Sequence, residues 1–246
     1  MARRVGLIAD ARSYVGPDLA RLLAARGHDL VLGGPGAELV EELAAAGAAV
    51  EAVEGVRDLT DPASSARLVD AARARFGRID SATAFSGQIV IGRFLRSTVD
   101  DLRTAVAGCL EAPYHFLRAV VPVMVEQGDG QVLVITSAAG ARPTPGAPLY
   151  SAARAGANML VRNVAAEVAS KGVQVNAVGT NFMDFPEFLR ANGADTDPER
   201  RAAIESQVPM RRLGSLEEFA HLCATFVDGT SRFTTGQFVA NAGGWV

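Results

Sequence analysis

The chain is poor in the residues that build disulfide frameworks and metal sites. It has only two cysteines and three histidines among 246 residues. Both Cys109 and Cys223 fall in apolar helical patterns, so we interpret them as reduced, buried residues of a cytoplasmic protein. His28, His115 and His221 are far apart and match no metal-ligand spacing, so we expect no metal site.

Long apolar runs and a large net charge are also missing. The apolar run after Arg3 and Arg4 ends at Asp10, which is too short for a signal-peptide core or a membrane-spanning helix. A formal net charge of −3 gives no excess of positive charge for binding to nucleic acid or an anionic membrane. These absences favour a cytoplasmic protein whose ligands are small molecules.

What the chain does contain is an alternation of short β-type segments and helical patterns. Helix starts are marked by Asp61 followed by Pro62 and by a capping box formed by Ser215 and Glu218. The alternation predicts an α/β fold of the Rossmann-like, doubly wound kind, with a parallel sheet and helices on both faces, as a single domain over residues 1–246. The sheet is predicted to have seven strands, over residues 4–9, 28–33, 48–53, 80–85, 131–136, 173–178 and 236–241.

Glycine is scarce at the turn where a nucleotide-binding fold needs it. A dinucleotide pyrophosphate must approach bare backbone at a helix N-terminus. After the first strand, only Gly16 remains of a possible glycine trio, while Asp10 adds a negative charge and Tyr14 adds a ring. The second strand ends in Gly-Gly-Pro-Gly, without the charged residue that would bind a ribose or its phosphate. The pattern favours loss of dinucleotide binding.

A resemblance to a known family rests on the order of elements, on Ser137 and Tyr150, and on the closing Thr-Gly-Gln-Phe-Val-Ala-Asn-Ala-Gly-Gly. These features resemble the short-chain dehydrogenase/reductase family over nearly the whole chain. The family's Tyr-x-x-x-Lys pair is altered here to Tyr150 and Arg154, its Asn-Asn-Ala-Gly segment is altered to Ala-Phe-Ser-Gly, and Cys109 stands where its catalytic asparagine would be expected.

The altered motifs look like those of the halohydrin dehalogenases, which share the fold, use Ser-Tyr-Arg and bind a halide instead of a dinucleotide. Their Ser-x12-Tyr-x3-Arg motif is matched by Ser137, Tyr150 and Arg154. Their Thr-x4-Phe/Tyr-x-Gly motif is matched by Tyr14 and Gly16, with Ala9 in place of the threonine. The segments from Gly179 and from Asp197 look most like the G subtype, which suggests a cleft open to bulky or cyclic epoxides.

The chemistry of the tyrosine and arginine can also be argued from the residues. On a predicted helix, Tyr150 and Arg154 share one face. A free tyrosine is only about 0.1% ionised at neutral pH, and a nearby cation favours the ionised form. Arginine supplies a permanent charge, so Tyr150 is predicted to be a general base. The resemblance implies that Ser137 holds the substrate hydroxyl, Tyr150 removes its proton, and halide leaves as an epoxide closes, with no cofactor.

The same resemblance assigns a pocket for halide and substrate. Asn181 is predicted to form the nest that binds the halide, and Phe182 and Met183 are predicted to donate backbone N–H groups to it. Tyr14 and Thr180 are predicted to line the pocket. Asn181 could instead be an ordinary loop residue that bonds its own backbone. The resemblance also implies a homotetramer, in which a tryptophan near the C-terminus, Trp245, is either a loose exposed aromatic or an anchor on a neighbouring subunit.

Three functions therefore compete. The favoured hypothesis is cofactor-independent conversion of vicinal haloalcohols to epoxides with halide release, and the reverse opening of epoxides by azide, cyanide, nitrite or halide. The alternative is an NAD(P)-dependent short-chain dehydrogenase/reductase with a degenerate glycine motif. The third is a catalytically silent binding or scaffold protein, against which the intact set of Ser137, Tyr150 and Arg154 argues.

Overall fold

Strands and helices alternate along the chain, whose computed structural model describes residues 3–85, 87 and 89–245. The strands are β1 (Arg4–Ile8), β2 (His28–Gly33), β3 (Val50–Val53), β4 (Ser81–Phe85), β5 (Gly130–Ser137), β6 (Val173–Thr180), β7 (Met183–Asp184), β8 (Gly214–Ser215) and β9 (Phe238–Asn241). The α-helices are α1 (Gly16–Ala25), α2 (Ala37–Ala45), α3 (Pro62–Phe76), α4 (Val99–Val106), α5 (Ala112–Gln127), α6 (Pro148–Val168), α7 (Pro186–Asn192), α8 (Pro198–Ser206) and α9 (Leu216–Val227). A π-helical turn, Ala107–Glu111, joins α4 to α5.

The main sheet has seven parallel strands in the order β3-β2-β1-β4-β5-β6-β9. Every residue of β5 is buried, as expected for a central strand covered on both faces. The predicted doubly wound fold is confirmed, with small shifts of the strand ends. The two-residue strands β7 and β8, which pair with each other outside the main sheet, were not predicted.

Helices cover both faces of the sheet because each buries one apolar stripe. On one face, Leu68 of α3, Phe116 of α5 and Val161 of α6 belong to a single core. On the other, Leu19 of α1 and Phe219 of α9 belong to a second core, together with residues of α2. The two layers of core fix the sheet between them, which leaves the carboxyl ends of the strands free to form a site.

The predicted helix starts are present. The Asp61 side chain accepts a hydrogen bond from the Ala63 N–H, and Ser215 and Glu218 form the reciprocal capping box at the start of α9. Both cysteines are buried. Among helices in the described ranges, none combines the length and apolar character of a membrane span. In that same part of the chain, no three His, Cys, Asp or Glu side chains come together as a metal site would require.

Candidate functional site

The site lies where the strand order reverses, between β1 and β4, at the carboxyl edge of the sheet. Ser137, the last residue of β5, pairs in register with Thr180, the last residue of β6. Tyr14 reaches this edge from the turn after β1, since its hydroxyl donates a hydrogen bond to the Thr180 Oγ1 at 2.8 Å. The structure thus brings together residues that are far apart in sequence.

Ser137 is held in place by two hydrogen bonds. Its Oγ accepts the Ala139 N–H at 3.1 Å and donates to the Thr180 carbonyl oxygen at 3.3 Å. The side chain therefore caps the short 3-10 helix Ala138–Ala141 as well as facing the site. Because the bond to Thr180 is long, the hydroxyl proton can turn from the Thr180 carbonyl toward a substrate oxygen.

Tyr150 and Arg154 lie on the first turns of α6, and both are buried. The Arg154 guanidinium carbon is 5.2 Å from the centroid of the Tyr150 ring. The ring packs among small side chains, including Cys109 on the π-helical turn and Ala139 after β5. Ser151, the next residue, donates a hydrogen bond to the Ala139 carbonyl, which ties the start of α6 to the segment that follows Ser137.

Gly87 makes room for the arginine. A Cβ atom at this position would lie 1.9 Å from the Arg154 Nη2, and the backbone φ of +133° is one that residues with a side chain rarely adopt. The loop after β4 therefore presses bare backbone against the guanidinium. Ser86, in the predicted segment beside it, lies outside the described residues.

Tyr14 is partly buried, and its ring packs against the core. Its ring centroid lies 4.8 Å from those of Phe85 and Phe185 and 5.7 Å from that of Phe219. Burial raises the pKa of the Tyr14 phenol well above its usual value. At neutral pH this tyrosine stays protonated.

The turn that carries Tyr14 also carries Asp10, whose carboxylate accepts three hydrogen bonds. They come from the Arg12 N–H at 2.9 Å, the Ser13 hydroxyl at 3.1 Å and the Arg57 guanidinium at 2.9 Å. The contact with Arg57 was not predicted, because that arginine follows β3 and is linked to Asp10 only through the packing of three neighbouring strands.

The segment after β6 forms a separate cavity, of about 210 Å³, beside the site. The Asn181 Oδ1 accepts the Phe182 N–H at 3.0 Å, so this donor is taken by the neighbouring side chain. Phe182 has a left-handed backbone with φ of +56°, and Met183 pairs with Gly214 in the small sheet. Asn181, Phe182 and Met183 line the cavity, whereas the three predicted catalytic residues do not.

Trp245 closes the outer side of this region. Its ring lies 5.6 Å from that of Phe182, edge to face, and the Arg142 guanidinium stacks over it at 4.4 Å. The tryptophan therefore packs on its own chain and is not a loose aromatic, while its contact with a neighbouring subunit stays a prediction. The loop before α6 and the segment after β6 are joined through it.

Comparison with known proteins places the chain among oxidoreductases. Residues 9–246 match the family model described as Enoyl-(Acyl carrier protein) reductase. The chain is 30% identical to the oxidoreductase UcpA of Escherichia coli K12, over 95% of this chain and 90% of that protein. It is 33% identical to cis-4-hydroxycyclohexanecarboxylate dehydrogenase of Sinomonas cyclohexanicum, over 99% and 97%. The solved structure of ElxO with NADP bound, 18% identical, shares the fold with a TM-score of 0.87 over 99% of this chain and 98% of that one.

These relatives overturn the predicted dehalogenase. Haloalcohol dehalogenation, the lyase class and cofactor independence were wrong as functional predictions, because the likeness over nearly the full length is to proteins named as oxidoreductases, dehydrogenases and reductases. The physical reason is that the spacing of Ser137, Tyr150 and Arg154 predicts only a group that transfers a proton. It does not say which other bond of the substrate breaks.

Proposed function

This chain belongs to the short-chain dehydrogenase/reductase superfamily, and from that membership we propose that it is an oxidoreductase that interconverts a hydroxyl and a carbonyl group of a small molecule. The observation that carries the proposal is the pairing of Tyr150 with the buried cation of Arg154, at the carboxyl edge of the sheet. This is the position at which doubly wound folds bind their ligands.

Tyr150 exchanges the proton of the substrate oxygen in this proposal. When an alcohol becomes a carbonyl, its O–H proton must leave and the hydride on the adjacent carbon must pass to an acceptor, which a nicotinamide dinucleotide would supply; in reduction a hydride and a proton return. The Arg154 guanidinium, 1% exposed, lies 5.2 Å from the ring and places a buried positive charge beside the phenol.

Ser137 positions the substrate oxygen beside Tyr150. Its hydroxyl can donate to that oxygen in place of the Thr180 carbonyl, which it reaches at the long distance of 3.3 Å. Thr180 is proposed as a second positioning group, because its carbonyl and its hydroxyl are bonded to Ser137 and Tyr14 respectively. Asn181, Phe182 and Met183 remain candidates for contact with the rest of the substrate.

The reaction class implies a nicotinamide dinucleotide, yet the turn after β1 does not fit its diphosphate. The space left at this turn is about 10 Å³, room for about one water at most. The Tyr14 ring fills the volume, and the Asp10 carboxylate already holds the nearby donors and would repel a phosphate. The residues around Tyr150 thus favour an oxidoreductase substrate, whereas Asp10 and Tyr14 do not fit the dinucleotide that the reaction would need.

An oxidation and reduction assay tests the proposal. The wild type is given cyclic and open-chain secondary alcohols with NAD⁺ or NADP⁺ at high concentration, and the matching ketones with NADH or NADPH, and the nucleotide absorbance is followed. We expect nucleotide-dependent turnover of at least one pair, which Tyr150→Phe abolishes. Absence of turnover with every pair in the wild type, or turnover that continues when the nucleotide is withheld, would overturn the proposal.

A further inference from the structure

The turn between β1 and α1 contains the kinds of donors that bind phosphate, and an internal group occupies them. A backbone N–H, a hydroxyl and a guanidinium converge on one point, from Arg12, Ser13 and Arg57. Such a set suits an anion with several oxygens. Here the anion is the Asp10 carboxylate, whose side chain is only 12% exposed. The phosphate-type donors of this turn are therefore already bonded to a negative charge from the same chain.

Tyr14 completes the closure next to this carboxylate. Its φ of +52° is a left-handed conformation that is uncommon for a residue with a large side chain. The conformation is held by three aromatic contacts and by the hydrogen bond to Thr180. A glycine could keep the same backbone without strain, and it would leave the volume of the ring open to a ligand.

We propose that Asp10 and Tyr14 act together as a built-in occupant of the turn that would hold a dinucleotide diphosphate. The Asp10 carboxylate accepts the hydrogen bonds that a diphosphate would need, and the Tyr14 ring fills the space that the diphosphate would occupy. The inference concerns the nucleotide implied by the proposed function, and it assigns these two residues as those that set the chain's affinity for that nucleotide. A nucleotide can enter this turn only by displacing both, so the native chain binds it weakly.

Isothermal titration of NADPH, NADH and pyrophosphate tests the inference by binding alone. The proteins are the wild type, Asp10→Gly, Tyr14→Gly and the double variant. Asp18→Asn is the matched control, since it removes one carboxylate from the start of α1 without touching the three donors. We expect the double variant to bind one dinucleotide at least about 100-fold more tightly than the wild type, with intermediate gains in the single variants and no comparable gain in the control.

Two results would overturn the inference: wild type and double variant binding both dinucleotides equally, or Asp18→Asn gaining as much as Asp10→Gly. Because the double variant could fail to fold, Asp10→Asn provides a second test with a minimal change of shape. It should bind pyrophosphate more tightly than the wild type does, and no gain in a folded Asp10→Asn protein also contradicts the inference.

The binding experiment and the activity assay can fail independently of each other. Tight nucleotide binding by the wild type, with turnover, would support the oxidoreductase and overturn the built-in occupant. Strong binding that appears only in the double variant, without turnover of any alcohol or ketone by the wild type, would overturn the oxidoreductase and support the occupant.

Discussion

The three tyrosines of the chain occupy three environments, and the environment decides what each phenol can do. Tyr150 lies beside a buried guanidinium, Tyr14 is sealed among three phenylalanine rings, and Tyr114 is exposed on α5. Desolvation raises the pKa of the second and keeps it protonated, whereas the third is 47% exposed to solvent. The first is the one whose ring lies 5.2 Å from the Arg154 guanidinium carbon.

Replacing Tyr150 by phenylalanine should remove activity and leave the fold intact, since the ring still packs among the small side chains around it. A general acid–base group typically contributes a factor of about 10²–10⁴, so kcat should fall by that amount. Tyr114→Phe is the matched control and should keep its activity. Steady-state kinetics with melting curves check both, and a Tyr150→Phe enzyme with near-normal kcat would show that another group moves the proton.

Gly87→Ala should disturb the same pair through the arginine. The added Cβ would lie 1.9 Å from the Arg154 Nη2, so the guanidinium or the loop must move. We expect kcat to fall by about 10-fold or more, because small displacements of catalytic groups are costly. Gly36→Ala is the control, since nothing lies within 4 Å of its Cβ and its φ of −73° suits alanine. Equal kinetics for the two variants would contradict the predicted contact.

At the scale of elements, helix α9 illustrates how local signals in the sequence become structure. Its first turn is closed by the capping box of Ser215 and Glu218, and the Arg212 guanidinium bonds the same carboxylate. The hydrogen bonds from Arg212 lower the pKa of Glu218 to about 2, so the box stays charged across the ordinary pH range. The helix then buries Phe219 and Cys223 against the sheet.

Ser215→Ala should lower the free energy of unfolding by about 1 kcal/mol, because the Glu218 N–H loses its acceptor. Urea unfolding followed by circular dichroism measures it. Thr225→Ala, in the same helix, is the control: its hydroxyl bonds only the His221 carbonyl at an exposed position, and the change should stay within about 0.5 kcal/mol. Indistinguishable values for the two variants would mean that the cap adds little.

Local patterns were sufficient for the strands and caps of this fold but not for contacts between distant segments. Alternation and capping residues predicted β1 and the start of α9 because both depend on neighbours in sequence. The pair β7 and β8 could not be predicted, since two-residue strands show no periodicity. The bond between Asp10 and Arg57 likewise depends on the order of three strands. In the site, the spacing of Ser137 and Tyr150 indicated proton transfer, but the reaction class needed the likeness of the whole chain.

For the whole molecule, exposed apolar side chains favour association between copies. Tyr114 on α5 and Met159 on α6 are 47% and 52% exposed, and a groove between the two helices is lined mostly by apolar side chains, with Arg118, Glu167 and Lys171 among them. Apolar surface of this kind often marks an interface. The homotetramer expected from the family resemblance remains a prediction that this surface supports.

Light scattering coupled to size exclusion should therefore give the mass of four chains. Met159→Asp should shift the protein to a smaller species, because a charge would be buried at the predicted interface. Phe233→Asp, which changes a fully exposed aromatic outside these two helices, is the control and should leave the mass unchanged. A wild type that elutes as one chain at all concentrations would contradict the prediction.

The proposed catalytic residues Ser137, Tyr150 and Arg154 all come from one β-α-β unit, β5 to β6, whose first strand is buried at every position. Amide hydrogens in such a centre exchange with deuterium only when the whole domain opens, whereas those at exposed turns exchange through small local openings. We therefore expect the amides of β5, which ends at Ser137, to exchange more slowly than those of the turn that carries Asp10 and Tyr14. Local opening of the turn that carries Asp10 and Tyr14 can therefore occur many times while Ser137, Tyr150 and Arg154 keep their relative positions.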